Sequence, residues 1–104
     1  MIDIRPLGLR LAETASTALV RTADVEVMRM VLPKGKSIPE HQVPGGLTIQ
    51  CLEGTVELQV EDDPLIMQTG QLIYIAAHAS YALRALEDSS LLTTILRKPQ
   101  NGLA

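Results

Sequence analysis

The sequence is poor in aromatic residues. Of its 104 residues, two are tyrosine, and phenylalanine and tryptophan are absent. The hydrophobic core must therefore be built from Leu, Ile, Val, Ala and Met side chains. Sites that stack sugars or nucleobases on aromatic rings are hard to build from two tyrosines, so those ligand classes are disfavoured.

Cysteine, clustered basic residues and long apolar runs are also scarce. The single cysteine, Cys51, excludes an intramolecular disulfide and fits a reducing compartment. The net charge is −3 and the basic residues are scattered, so we expect no nucleic-acid partner. No run approaches the ~20 consecutive apolar residues of a membrane span, and the first residues do not resemble a signal peptide. We therefore expect a cytoplasmic protein without a membrane partner.

What the sequence does contain is a series of short segments in which apolar and polar residues alternate between Gly, Pro and Asp turns. They predict an all-β, antiparallel sandwich or barrel rather than an α/β arrangement. The predicted strands are 17–22, 25–32, 47–52, 55–60, 65–68, 72–75, 80–86 and 90–96. We expect a tight turn at Ala23-Asp24, a hairpin turn at Glu53-Gly54 and a further turn over 61–64.

The chain is predicted to form one domain, 1–104, in three parts. These are an N-terminal segment (1–16), a barrel (17–96) and a frayed tail (97–104). Only 9–18 have a composition that fits a short helical turn. The N-terminal segment carries apolar residues that have no obvious place in a barrel core, namely Ile2, Ile4, Leu7, Leu9 and Leu11. Because such residues rarely stay bare in water, the segment predicts a homodimer.

Two stretches of the chain carry glycines and other residues at spacings known from a protein family. In GKSIPEHQVPGGLTIQCLEG, Gly35, His41 and Gly54 match the first cupin motif, G-x5-H-x-H-x3,4-E-x6-G. In GQLIYIAAHASY, Gly70 matches the start of the second motif, G-x5-P-x-G-x2-H. The chain thus resembles the small single-domain cupins of the RmlC-like class over about residues 17–96. The resemblance implies a double-stranded β-helix, or jelly-roll barrel.

The metal-binding positions of these motifs are mostly replaced. Val43 stands at the second His position and Leu47 at the Glu position of the first motif, and Tyr81 stands at the His position of the second. Only His41 stands where a cupin metal ligand would stand. Zinc and similar cations want about three or four N, O or S ligands, so we predict neither a metal nor another cofactor. Small cupins with a similar variant of the first motif are mostly of unknown function, so the resemblance supplies no chemistry.

The apolar replacements predict a lumen that takes a small apolar or weakly polar molecule. Alternation from Leu47 places Ile49 and Cys51 on the same face of their strand. The predicted ligand pocket consists of His41, Val43, Leu47, Ile49, Cys51, His78 and Tyr81. An improvised metal site, built from His41, Cys51, His78 and Tyr81, is an alternative that barely reaches the ligand count of a closed site.

His41 and Tyr81 are the only catalytic candidates. The motif positions imply that the two side chains face each other across the lumen, where an imidazole and a phenol could act as base and acid. A small cupin enzyme of the isomerase, epimerase or dioxygenase type, using this pair or an improvised metal site, is therefore the alternative to a non-catalytic binding protein. A third alternative is a partner subunit with a packed lumen and no ligand. On the sequence, these alternatives remain open.

Overall fold

The computed structural model describes residues 1–98, which form a short 3₁₀ helix and nine strands in two facing sheets. The helix is Gly8–Glu13. The strands are β1 (Thr17–Arg21), β2 (Val25–Leu32), β3 (Ser37–His41), β4 (Leu47–Glu53), β5 (Thr55–Val60), β6 (Asp63–Gln68), β7 (Leu72–Ile75), β8 (Tyr81–Ala85) and β9 (Ser89–Leu96). The larger sheet has the order β1-β2-β9-β4-β7 and the smaller one β3-β8-β5-β6, and the strand pairs are antiparallel. The predicted all-β jelly roll is confirmed.

One strand of the smaller sheet, β3, was not predicted from the sequence. β3 (Ser37–His41) contains Pro39 and is mostly exposed, so it shows neither a run of β-branched residues nor a clean alternation. A proline is tolerated there because β3 is an edge strand, whose outer N–H groups need no partner. The predicted turn over 61–64 includes the first two residues of a strand, and here too a proline concealed the strand. Pro64 lies inside β6, the other edge strand of this sheet, opposite Gln59.

The predicted hairpin at Glu53-Gly54 is wrong. β4 belongs to the larger sheet and β5 to the smaller one, so the chain crosses between the sheets at this point. Gly54 has φ +90°, and a Cβ there would collide with Ser89 and with the carbonyl of Asp88. The Glu-Gly pair therefore marks a close passage between two chain segments, and its composition alone does not distinguish this from a hairpin.

The inner faces of the two sheets enclose a core of aliphatic side chains with one tyrosine, as the composition predicts. Leu47, Ile49 and Cys51 point inward from β4, and the polar residues between them are partly exposed on the other face. The buried cluster consists of Leu32, Val43, Leu47, Ile49, Cys51, Val56, Leu58, Met67, Ile75, Tyr81, Leu83, Ala85 and Leu91. No helix among the described residues is long and apolar enough to cross a membrane.

The N-terminal segment is bound to the outside of the barrel by the carboxylate of Glu53. This group accepts hydrogen bonds from the backbone N–H groups of Leu7 (2.8 Å) and Gly8 (3.0 Å) and from the Ser90 hydroxyl (2.5 Å). Leu11 is buried, although it lies outside the core cluster. The apolar side chains of Ile2, Ile4 and Leu9 remain exposed.

The beginning of the tail contacts the turn between β1 and β2. Arg97 donates its backbone N–H to the Asp24 carbonyl (2.9 Å), and the Lys98 ammonium lies 2.7 Å from the Asp24 carboxylate. The rest of the tail that we predict to be frayed, 99–104, lies outside the described residues.

Candidate functional site

The site builds on a contact between the rings of His41 and Tyr81. The two residues are directly opposed in the antiparallel pair of β3 and β8, next to an irregularity in the register of β3. Their ring centroids are 5.3 Å apart, and the rings meet edge to face at 86°. The pair is therefore made of neighbours on one sheet. The expectation that the two side chains face each other across the lumen is wrong, because the sequence did not reveal that His41 belongs to a strand, β3, which pairs with β8.

The two rings differ in exposure. Tyr81 is buried and belongs to the core cluster, whereas His41 is exposed at the end of its strand. Burial raises the pKa of the Tyr81 phenol above its ordinary value of about 10, so the group is protonated at neutral pH and can donate a hydrogen bond. The residues next to the pair in the sequence, Gln42 and Ser80, are joined by a hydrogen bond from the Gln42 side-chain amide to the Ser80 hydroxyl (3.0 Å), which does not involve either ring.

Below the pair, the wall of the lumen is apolar. Val43, Leu47 and Ile49 are almost completely buried and belong to the same cluster as Tyr81. The Val43 carbonyl accepts a hydrogen bond from the His78 N–H (2.9 Å), which attaches the loop between β7 and β8 to the loop after β3. This end of the barrel therefore combines one imidazole and one phenol with hydrocarbon side chains.

Two further members of the predicted pocket differ from this group in their surroundings. The His78 residue is exposed in its loop and has a left-handed backbone, with φ 68°. Cys51 lies four positions after Leu47 on β4, about 13 Å further along the barrel at ~3.3 Å per residue. Its Sγ is 3.5 Å from the carbonyl oxygens of Glu53 and Gly54, and burial raises the pKa of the thiol. Cys51 thus lies deeper in the lumen than Leu47, and His78 lies in an exposed loop above it.

The residues present do not fit a divalent metal ion. The four positions that the resemblance assigns to metal ligands hold His41, Val43, Leu47 and Tyr81, of which Val43 and Leu47 have no donor atom. Within residues 1–98, no group of three or more His, Cys, Asp or Glu side chains is arranged to hold a metal. His41, Cys51 and His78, the core of the improvised alternative, are not brought together.

Sequence reasoning missed a second group of polar residues, around Arg29 and Glu53. Arg29 is 8% exposed, and one of its terminal nitrogens donates to the Arg5 carbonyl (2.8 Å). Burial acts to raise the pKa of Glu53, but the hydrogen bonds from Leu7, Ser90 and Gly8 outweigh it, so the pKa lies below its ordinary value. The available signal was Arg29 at a central position of β2, VEVMRMVL, flanked on both sides by methionines.

The comparisons with known proteins agree on the fold. A family model described as "Cupin domain" matches residues 28–95. Among similar solved structures is a conserved protein of unknown function from Streptococcus pyogenes. It is 29% identical, has a TM-score of 0.75, and the match covers 82% of this chain and 74% of that one. No curated protein matches the sequence significantly.

Two further structures match over nearly the whole of both chains. A cupin superfamily protein from Desulfitobacterium hafniense is 19% identical, has a TM-score of 0.80, and the match covers 94% of this chain and 95% of that one. An RmlC-like cupin from Desulfovibrio desulfuricans is 20% identical, with a TM-score of 0.76 and coverage of 93% and 97%. Identities this low show the fold alone. The family match spans most of the chain, from β2 to β9, and on that ground the chain belongs to the cupin family.

Proposed function

We propose that this cupin binds a small, mostly apolar molecule at the His41 end of its barrel, without a metal ion. The observation that carries the proposal is the replacement of metal-binding positions by buried hydrocarbon, at Val43 and Leu47, beside a phenol that is protonated at neutral pH. Such a surface favours an apolar body and offers one hydrogen bond to a single polar atom. Tyr81 is the donor of that bond.

The packing of the core limits the size of the ligand. Ile49 and Cys51, deeper in the lumen, are fully buried within the core cluster. The ligand therefore occupies the end of the barrel, where His41 is exposed, and does not extend along its axis. A small molecule with an apolar body and one carbonyl or hydroxyl group has the required chemistry.

The test uses two probes that differ by one carbonyl oxygen, cyclohexanone and cyclohexane. Both are titrated into protein with labelled methyl groups, and chemical shifts are followed by NMR. We expect saturable shifts at Val43 and Leu47 with both probes. Tyr81→Phe should weaken the binding of cyclohexanone by about two- to tenfold, the worth of one neutral hydrogen bond, and leave cyclohexane unaffected.

The chain offers a matched control in its second tyrosine. Tyr74 is exposed on β7, so Tyr74→Phe should leave the affinity for both probes unchanged. Methyl groups at this end of the barrel that stay unshifted by either probe would overturn the proposal and favour a packed lumen without a ligand.

The proposed absence of a metal has a direct test. Protein purified without a nickel column should contain no stoichiometric transition metal by elemental analysis, and His41→Ala should not change the metal content. His78→Ala is the control, since His78 is the other histidine of the chain and is exposed. A stoichiometric metal that His41→Ala removes would contradict the proposal.

A second candidate function, acid–base catalysis by the same pair, is favoured by the ring contact. At 5.3 Å between ring centroids, His41 and Tyr81 can reach the same small substrate, with the protonated phenol as acid and the imidazole as base. An isomerase or epimerase uses such a pair to remove a proton from one position of the substrate and return it at another. In a screen of small metabolites, activity that Tyr81→Phe abolishes would support this candidate, and activity that survives the substitution would exclude the acid role.

We also propose that the protein is a homodimer. The support is the set of apolar side chains exposed on the N-terminal segment, namely Ile2, Ile4 and Leu9, together with Leu72 and Tyr74 on β7. Two copies could bury these residues against each other about a two-fold axis. Analytical ultracentrifugation at micromolar concentration should show a dimer, and the combined substitution Ile4→Ser and Leu9→Ser should shift it towards monomer. A clean monomer of the unaltered protein would contradict the proposal.

A further inference from the structure

Outside the barrel, a cleft lies between the N-terminal segment and the larger sheet. Its volume is about 520 Å³, and it is lined by Asp3, Arg5, Pro6, Leu7, Arg10 and Arg29. Arg29 is opposite Leu92 in the pairing of β2 with β9, and Leu91, the neighbour of Leu92, points into the core. Arg29 therefore projects from the outer face of the sheet, and the cleft is separate from the lumen. Its volume lies within the range of ordinary small-molecule sites, about 300–1,000 Å³.

The guanidinium group of Arg29 is short of partners. Its one hydrogen bond in the described chain is the one from Nη2 to the Arg5 carbonyl, and its buried Nε has no partner. Within residues 1–98, no carboxylate lies within 4.0 Å of it, although its charge helps to lower the pKa of Glu53. Burying a charged guanidinium without a paired carboxylate is costly, and an anion in the cleft that Arg29 lines would offset that cost.

The neighbouring charges leave a positive excess. Arg5 is held by the Asp3 carboxylate, through Nε and Nη2 at 3.0 and 2.6 Å, so these two charges neutralise each other. Glu53 uses its carboxylate to bind the N-terminal backbone and Ser90. Arg10 lines the cleft and forms no ion pair among the described residues. Arg10 and Arg29 therefore supply two positive charges, of which Glu53 offsets at most one.

We propose that this cleft binds a small molecule through an oxyanion group, a carboxylate or a phosphate, held between Arg29 and Arg10. Guanidinium groups bind such oxygens through charge-assisted hydrogen bonds and often in pairs. The oxyanion pairs with the charge of Arg29 from within the cleft, and the N-terminal segment forms the other wall of the site. Ligand binding and the docking of this segment on the barrel therefore support each other.

The experiment titrates the full-length protein with sodium succinate and, separately, with inorganic phosphate, using sodium chloride of equal ionic strength as the blank. Backbone amide shifts of residues 3–10 and the Nε resonance of Arg29 are followed by NMR. We expect saturable binding of at least one of the two anions. The stronger of them identifies the carboxylate or the phosphate as the natural group, and either supports the proposal.

Three variants separate the site from general charge screening. Arg29→Met keeps most of the aliphatic stem and should weaken binding by about tenfold or more, as expected for a charge-assisted hydrogen bond. Arg10→Gln, at an exposed position that no fold contact requires, should weaken it by about two- to fivefold. Arg84→Gln, on the outer face of the smaller sheet, is the matched control and should leave it unchanged.

Several outcomes would overturn the proposal. One is a response to both anions that is linear and equals that of chloride. Another is saturable binding that Arg10→Gln leaves unchanged. This comparison tests the proposal even when Arg29→Met does not fold. A third is anion binding that weakens as protein concentration rises, because the cleft would then hold an acidic side chain of a second copy.

Discussion

Glu53 carries a prediction that joins the fold to its pH dependence. Its carboxylate is the acceptor for two backbone N–H groups, from Leu7 and Gly8, that would otherwise lack a partner at the start of the 3₁₀ helix. Glu53→Gln keeps the shape of the side chain but replaces one acceptor oxygen with an NH₂ group, which cannot accept. The variant therefore leaves at least one of these two N–H groups without an acceptor, and any hydrogen bond that remains is to a neutral oxygen instead of a carboxylate.

The size of the effect follows from the bonds that are lost. A hydrogen bond to a charged group contributes about 1.5–3 kcal/mol, so we expect the N-terminal segment of Glu53→Gln to open more easily by about 2–3 kcal/mol. That corresponds to about 30- to 150-fold faster hydrogen exchange of the Leu7 and Gly8 amides, if exchange follows local opening. Amides of β4 and β9, which the segment does not hold, should change little.

The same argument fixes the sign of the pH dependence. The pKa of Glu53 is lowered in the folded protein, so its contribution to the docking of the segment is fully present above about 4.3, the ordinary value for Glu, and is lost as the pH falls through the folded value. Below that pH, the protection of the Leu7 and Gly8 amides, taken as the exchange rate relative to the intrinsic rate at the same pH, should fall to the protection that Glu53→Gln shows at neutral pH.

Hydrogen exchange read by NMR or mass spectrometry, on the unaltered protein and on Glu53→Gln at neutral and acid pH, measures all of this. Glu57→Gln is the control, because Glu57 is exposed on β5 and should leave the exchange of both amides unchanged. Leu7 and Gly8 amides that exchange equally fast in Glu53→Gln and in the unaltered protein at neutral pH would refute the reasoning.

Three further predictions concern the core, the crossing between the sheets and the buried phenol. Leu58→Ala removes a fully buried side chain from β5 and should lower the free energy of unfolding by about 2–5 kcal/mol in urea denaturation, whereas Leu72→Ala, at an exposed position, should cost less than about 1 kcal/mol. Gly54→Ala should destabilise the protein more than Gly70→Ala, because both glycines have φ +90° but only at Gly54 would the new Cβ collide with Ser89 and Asp88; equal midpoints in thermal denaturation would contradict the clash. In Tyr74→Phe, Tyr81 is the sole tyrosine, so ultraviolet absorbance of the phenolate should show this phenol ionising above about pH 10. The stability that comes from burying the neutral ring should be fully present below that pH and should be lost as the pH rises through the raised pKa of the folded protein.

Much of the barrel could be predicted from local pattern. Alternation in LTIQCLE and TVELQV identifies strands and the faces that they bury, because a half-buried strand repeats every two residues. Pairing between distant strands leaves no such local trace. The sequence therefore did not show that β4 and β5 belong to different sheets, or that β3 with its Pro39 is a strand at all.

The candidate site was predictable in its residue types and less so in its geometry. The motif spacing singles out His41 and Tyr81, and the structure brings them into contact. Spacing along the strand puts Cys51 deeper in the lumen than Leu47, but the sequence could not place it relative to His41 and Tyr81, because parity and spacing on one strand give no position relative to another strand. Arg29 and Glu53 were missed because their partners lie 24 and 46 residues away, in a segment without strand or helix periodicity.

The central claim is that the His41 end of the barrel binds a small apolar molecule through one hydrogen bond from Tyr81. A crystal structure of the protein soaked with cyclohexanone tests it most directly. The account predicts density for the ring against Val43 and Leu47, with the carbonyl oxygen about 2.7–3.0 Å from the Tyr81 hydroxyl. Well-ordered side chains at this end of the barrel with no such density at saturating concentration, or a metal ion bound to His41, would contradict it.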